Sequence, residues 1–290
     1  LSCAMRKAPN GFINSVNAFR DFEEHIDWKS DPANEDEREF RKWLRAASSG
    51  DLGEVRAALA EFDCSATTDA TAEAKYAPAH CMLWWAAKGG RADVVDEILK
   101  HVTQPDAIFD FYPVVRIAIA DGRINCLESL LVAGPSLTKF LAMFAPDATV
   151  STRPLQVILE AIQVDDGASL DLMRSRGVRL GPFDGVSLAI QPVDMAARRG
   201  SASAVRAILR DPSVVHWILA RKSDAIMRAC QSGHAEALAA LLERVQLQHT
   251  KEDSVVFGNA TPLLHAVSSG DLATVEIVLA QGVDVNEQPE

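Results

Sequence analysis

Several things are scarce in this chain of 290 residues, and each shortage excludes a class of function. No apolar run is long enough to span a bilayer, which takes about 20 residues. The best candidate, Ile124 to Ala145, is interrupted by Glu128, Pro135 and Lys139. No basic-then-apolar leader opens the sequence at Leu1, so no signal peptide is expected in it. Neither a spanning segment nor a membrane partner is predicted. The five cysteines, Cys3, Cys64, Cys81, Cys126 and Cys230, form no CxxC pair and no disulfide framework. That pattern predicts free thiols in a reducing compartment, cytoplasm or nucleus. Cys126 and Cys230 fall at small apolar helix positions and are expected to be buried and inert. Positive charge is also short: the formal net charge is −11. An acidic chain repels a phosphate backbone, so nucleic acid is excluded as a partner.

The motifs of catalysis and metal binding are missing too. The histidines His25, His80, His101, His216, His234, His249 and His265 show no HxxxH or HExxH spacing, so no metal site is predicted. His80 and Cys81 are sequence neighbours, whose side chains point apart in a helix or strand and make no working dyad. There is no GxSxG, P-loop or dinucleotide fingerprint, and Asp165-Asp166-Gly167 reads as a turn. The chain is read as non-enzymatic, without a cofactor.

What the sequence does contain is a repeated phrase. Its clearest copy lies near the end: Thr261-Pro262-Leu263-Leu264-His265-Ala266, then Ser268-Ser269-Gly270-Asp271-Leu272, then Gly282-Val283-Asp284-Val285-Asn286. Weaker copies align on a helix-ending glycine: Ala46-Ala47-Ser48-Ser49-Gly50, Ala86-Ala87-Lys88-Gly89-Gly90, Ala118-Ile119-Ala120-Asp121-Gly122, Ala196-Ala197-Arg198-Arg199-Gly200 and Ala229-Cys230-Gln231-Ser232-Gly233. A degenerate copy, Ala161 to Asp165, is placed by Gly177 twelve positions later. The anchors are 40, 32, 43, 35, 33 and 37 residues apart. Small residues four and three before the glycine let a first helix approach its neighbours. The glycine supplies the left-handed turn. Downstream apolar pairs at i, i+4 mark one face of a second helix: Val55 and Leu59, Val95 and Leu99, Leu127 and Leu131, Val205 and Leu209, Leu238 and Leu242, Val275 and Leu279. A lone helix pair cannot bury such a face; a stack can.

This grammar resembles the ankyrin-repeat family over residues 41 to 286, with about seven divergent units. The resemblance implies an all-α solenoid of helix-turn-helix units with short hairpin loops. Residues 1–40 are expected as an acidic helical cap, with a stripe of Phe19, Phe22 and Ile26, and residues 287–290 as a tail. Glu35 to Ala47 reads as the first helix of the array. The family histidine after Thr-Pro-Leu is replaced by Leu264, Asp194, Trp84, Arg116 or Met227, so its hydrogen bonds to neighbouring turns must be replaced or lost. Long insertions stand at Asp63–Ala79, Pro135–Arg153 and Arg244–Asn259.

The resemblance also implies a function, protein–protein recognition through a concave groove by a monomeric adaptor, inhibitor or chaperone-like binder. The rival readings are a small-molecule-binding or catalytic version whose insertions roof the groove, and the recognition domain of a larger enzyme. In the family the two residues before the glycine face the groove, which here gives Lys88 and Gly89, Arg198 and Arg199, Gln231 and Ser232, with His80, Tyr112 and Ile190 on the hairpins. Of Trp84 and Trp85, one is expected inward and the other toward a groove or an insertion. Phe109, Phe111 and Tyr112 either cover a hydrophobic edge or contact the partner. Arg198 and Arg199 either pair a carboxylate or phosphate or stand on a solvated face. The residues expected to bind the partner are Trp84, Lys88, Phe109, Tyr112, Arg198 and Arg199. A basic partner surface would suit Asp21 to Glu39, where nine acids face two bases and carry −7 of the net charge.

Overall fold

The structure, a computed structural model, describes residues 35–61, 72–101, 111–133, 152–183, 191–221, 224–245, 261–283 and 285. Every regular element among them is an α-helix. The chain divides into two compact units, Leu1–Leu137 and Thr138–Glu290. The division falls inside the insertion at Pro135–Arg153.

The first unit contains α1 (Glu35–Ser49), α2 (Leu52–Glu61), α3 (Ala72–Gly89), α4 (Ala92–His101), α5 (Phe111–Ala120) and α6 (Ile124–Ala133). They pack as pairs, α1 with α2, α3 with α4, α5 with α6. First helices stack on first helices, α1 on α3 and α3 on α5, and second on second, α2 on α4 and α4 on α6. Part of the first insertion is helical: residues 72–79 extend α3 at its start, as the helix-forming run Ala72-Glu73-Ala74-Lys75 favours.

The second unit contains α7 (Thr152–Gln163), α8 (Gly167–Ser175), α9 (Pro192–Arg199), α10 (Ala202–Ile208), α11 (Pro212–Arg221), α12 (Asp224–Ser232), α13 (Ala235–Leu242), α14 (Pro262–Ser269) and α15 (Leu272–Ala280). The rule is the same. First helices α7, α9, α12 and α14 stack in series, as do second helices α8, α10, α13 and α15. Helix α11 is an addition to the pattern, inserted between the pairs α9/α10 and α12/α13.

Backbone geometry supports the alignment on glycine. Gly50, Gly90, Gly122, Gly200, Gly233 and Gly270 all have positive φ, and Asp165, the anchor of the degenerate unit, has φ 53°. Asp tolerates the left-handed region better than most side chains. Small residues before the anchors are buried as expected: Ala46, Ala47, Ala86, Ala87, Ala196, Ala197, Ala229 and Cys230. Val55, Leu59, Val95, Leu99, Leu127, Leu131, Val205, Leu209 and Leu238 are buried as well.

The last two pairs depart from the expected register. Leu241 is buried and Leu242 half-buried. On α15 the inward residues are Thr274 and Val278, while Leu279 is 42% exposed. Among the described residues no further helix pair packs against α14 and α15. The positions that face the next unit elsewhere are therefore bare, Val267 and Leu272 among them.

Candidate functional site

The turn between the helices of a pair decides which side chains reach the surface. At two turns of the second unit the residue after the anchor reaches back to the preceding pair, whereas Asp166 and Asp271 cap their own helices. Ser201 Oγ donates to the Ile162 carbonyl at 2.7 Å. His234 Nε2 lies 3.1 Å from the Arg198 carbonyl, which makes that nitrogen the N–H donor. In the first unit Arg91 Nε donates to the Ser48 carbonyl at 3.3 Å. Each contact engages a carbonyl near the open end of a first helix, where intrahelical partners run out; the Ile162 carbonyl accepts from the Asp165 N–H at 3.2 Å as well. These contacts stand where the family's histidine network is absent. They were not foreseen, although the position one after the anchor was visible throughout: Asp51, Arg91, Arg123, Asp166, Ser201, His234 and Asp271.

Packing at these turns leaves little room. A Cβ on Gly200 would lie 2.7 Å from His234 Nδ1, in a backbone of φ 77°. A Cβ on Gly89 would lie 3.0 Å from Ser48 backbone carbons and closer still to its carbonyl oxygen. Asp165 adds a clasp of its own, its Oδ1 accepting from the Ala204 N–H at 2.9 Å. That carboxylate caps α10 from the preceding unit, while Ser201, in the N-cap position, is committed to Ile162. Between α9 and α12, Asp194 is 1% exposed and lies 3.5 Å from Arg228 Nε, so an ion pair occupies one place where the family has its histidine. Gln191 accepts from the Phe183 N–H at 2.9 Å and donates to the Phe183 carbonyl at 2.8 Å, tying the preceding segment to the start of α9.

The structure divides the predicted binding residues between the two units. In the first, Trp84 and Trp85 meet edge to face, with ring centroids 5.2 Å apart. Trp84 is buried and Trp85 half-buried, the one-in, one-out arrangement expected of them. Lys88, one turn further along α3, holds its Nζ 5.0 Å and 5.2 Å from the two ring centroids, a cation–π contact with both. Burial lowers the Lys88 pKa, with Asp121 opposing it. Phe109 lies outside the described residues. Tyr112 is the second residue of α5, and only its backbone is described. Two hairpin placements are corrected: His80 lies buried within α3, and Tyr112 belongs to a helix. Ile190 falls outside the described residues.

In the second unit Arg198 and Arg199 form the last turn of α9 and are both exposed. Arg198 Nη2 lies 3.0 Å from Met195 Sδ. Neither guanidinium has a carboxylate partner among the described residues, whereas Arg206 pairs with Glu243 and Arg210 with Asp171. Gln231 and Ser232 hold the corresponding places on α12 and are exposed.

Burial pushes the Cys81 and Cys230 thiols up to about 12 and Cys126 to about 11, which keeps all three protonated and unreactive at neutral pH. These three are free cysteines; Cys3 and Cys64 lie outside the described residues. Among the described residues no three His, Cys, Asp or Glu side chains are grouped to hold a metal ion, and no helix is long and apolar enough to cross a membrane. Most of the acidic run lies outside them as well. Of its residues Glu35 is exposed at the start of α1 and pairs with Arg38 at 2.6 Å.

Comparison with known proteins identifies the last part of the array. Residues 193–289, from α9 through α15, match the family model described as ankyrin repeats (3 copies). That segment is similar to ankyrin repeats. No curated protein matches the sequence. Ankyrin repeats are generally protein–protein interaction modules and are typically non-catalytic. The helix pairs before residue 193 follow the same stacking rule as those inside the match.

Proposed function

We propose that this chain is a non-enzymatic ankyrin-repeat recognition module that binds another protein along the exposed ends of its first helices. One observation carries the reading: cross-repeat hydrogen bonds hold those ends in register and leave their last-turn side chains outward. Ser201 to Ile162 and His234 to Arg198 are the two bonds that do so in the second unit. A surface fixed in this way loses little ordering entropy on binding. Arg198 and Arg199 are the proposed contacts of the second unit. Lys88, backed by Trp84 and Trp85, is the proposed contact of the first, joined by Phe109 and Tyr112. A stack of this kind needs no second copy to close its core, so the binder is read as a monomer working in cytoplasm or nucleus.

Site-specific photocrosslinking in producing cells tests the reading. A benzophenone side chain at position 199 or 88 should capture a discrete partner, and one at position 206, on a second helix, should not. Capture from 206 alone would overturn it.

A further inference from the structure

The two helix rows of the second unit treat their arginines differently. On the second-helix side the arginines are matched within the array: Arg210 pairs with Asp171, Arg206 with Glu243 at 3.2 Å, and Arg174 with Asp171 at 3.6 Å. At the first-helix ends Arg198 and Arg199 have no such partner among the described residues. The next two first helices place Gln231 with Ser232 and Ser268 with Ser269 at the same positions. The row therefore carries two positive charges, an amide and hydroxyls, and no carboxylate, on a chain whose net charge is −11.

Favourable interaction with the helix dipole does not account for the pair. A cation in the last turn is favoured at the end of any helix, yet only Lys88 of the first unit repeats the sign; the other matching places hold Ser48 and Ser49, Ala120 and Asp121, and Gln163 and Val164. Asp121 has the opposite sign. Arg198 and Arg199 are thus particular to this unit.

We infer that the first-helix edge of the second unit takes an acidic, extended segment of a partner protein, with Arg198 and Arg199 receiving its carboxylates. Guanidinium binds carboxylate through paired N–H donors, which suits two adjacent arginines to neighbouring Asp or Glu side chains. Packed helices lie about 8–10 Å apart, and an extended chain advances about 3.3 Å per residue. A residue about three places from the carboxylates therefore reaches Gln231 and Ser232 on α12. This inference rests on the first-helix ends being the docking surface and adds the chemistry of what docks.

Fluorescence anisotropy with three labelled peptides of about twelve residues tests it on the whole chain: one rich in Asp and Glu, one neutral, one rich in Lys. The acidic peptide should bind. Its affinity should fall about tenfold in R198Q/R199Q and be unchanged in R206Q/R210Q, which alters net charge equally. Thermal unfolding of both double variants confirms that they fold. No binding of the acidic peptide, or equal loss in the two double variants, overturns the inference. If the neutral or basic peptide binds instead and depends on Arg198 and Arg199, the docking surface stands and the acidic class falls. If a peptide binds but no variant at the first-helix edge affects it, both readings fall.

Discussion

Asp165 offers the sharpest test of how adjacent repeats are joined. It holds a left-handed φ of 53° where the other anchors use glycine, and its carboxylate accepts the Ala204 N–H at 2.9 Å. Two opposing terms follow. Loss of an N-cap acceptor costs about 1 kcal/mol, with a range of roughly 0.5–2. A non-glycine residue in the left-handed region costs about 1–2 kcal/mol, somewhat less for Asp, which bonds locally there. Asp165→Ala loses the cap and keeps a backbone cost that the parent already carries, slightly raised, so it should destabilise by about 1–2 kcal/mol. Asp165→Gly loses the cap but relieves the backbone, and should stay within about 1 kcal/mol of the parent. Asp165→Asn retains both an acceptor and a tolerance for positive φ, and should be nearly silent. Urea unfolding followed by far-UV circular dichroism ranks the three. In a unit of this size 1 kcal/mol is about 2–4 °C in Tm, so the alanine variant should melt about 2–8 °C lower. The reasoning fails if glycine proves more damaging than alanine, because the anchor would then not be left-handed. It also fails if Asp165→Ala and Ser201→Ala, which severs the neighbouring bond to Ile162, show no coupling in a double-mutant cycle.

Further expectations concern the core and titration. Leu131→Ala and Leu209→Ala should each cost about 2–5 kcal/mol in urea unfolding, because both side chains are buried between helix pairs. Exposed Ser268→Ala should cost under about 0.5 kcal/mol. Asp194→Ala should cost about 3–5 kcal/mol, since it removes a buried carboxylate 3.5 Å from Arg228 Nε in the α9–α12 contact. Cys81, Cys126 and Cys230 should resist a maleimide at pH 8 in the native protein and react at once in denaturant. Lys88 has a folded pKa below the ordinary lysine value of 10.5, so between the two values the unfolded chain binds more protons. The Lys88 contribution to stability should therefore rise with pH across that window, opposite in sign to that of the three buried thiols, and Lys88→Met should steepen the fall in urea midpoints measured from pH 8 to 11.

The fold was legible because its signal is local and repeated. An alanine pair, a glycine and an apolar i, i+4 pair mark the same turn in unit after unit, and tertiary packing merely confirms them. Where the pattern weakened, neighbours decided the outcome. Leu279 has the periodicity of a core residue and is exposed because burial depends on what packs outside it, which no helix can specify for itself. His80 and Tyr112 were assigned to hairpins by spacing from the family motif. Local helix formers at the start of α3, and in α5 the packing of Val114, Val115, Ala118 and Ile119 rather than propensity, place both in helices. The clasps between repeats were not legible at all. Ser201, His234 and Arg91 have unlike side chains and share only a position, one after the anchor, from which a hydroxyl, an imidazole and a guanidinium can each reach the preceding first-helix end. Conventional matching of residue types discards such a column, whereas the physical requirement, a donor aimed at a carbonyl of the preceding first-helix end, is met by any of the three. The same separation of position from residue type governs the edge proposed here for binding. The turn fixes where the last-turn side chains emerge, and the sequence is free to vary what emerges there. Lys88 fills that place with a cation laid across two indoles, and Arg198 and Arg199 fill it with guanidiniums that have no carboxylate partner among the described residues. Specificity in this chain is therefore to be sought in the residues just before each anchor, and stability in those just after it.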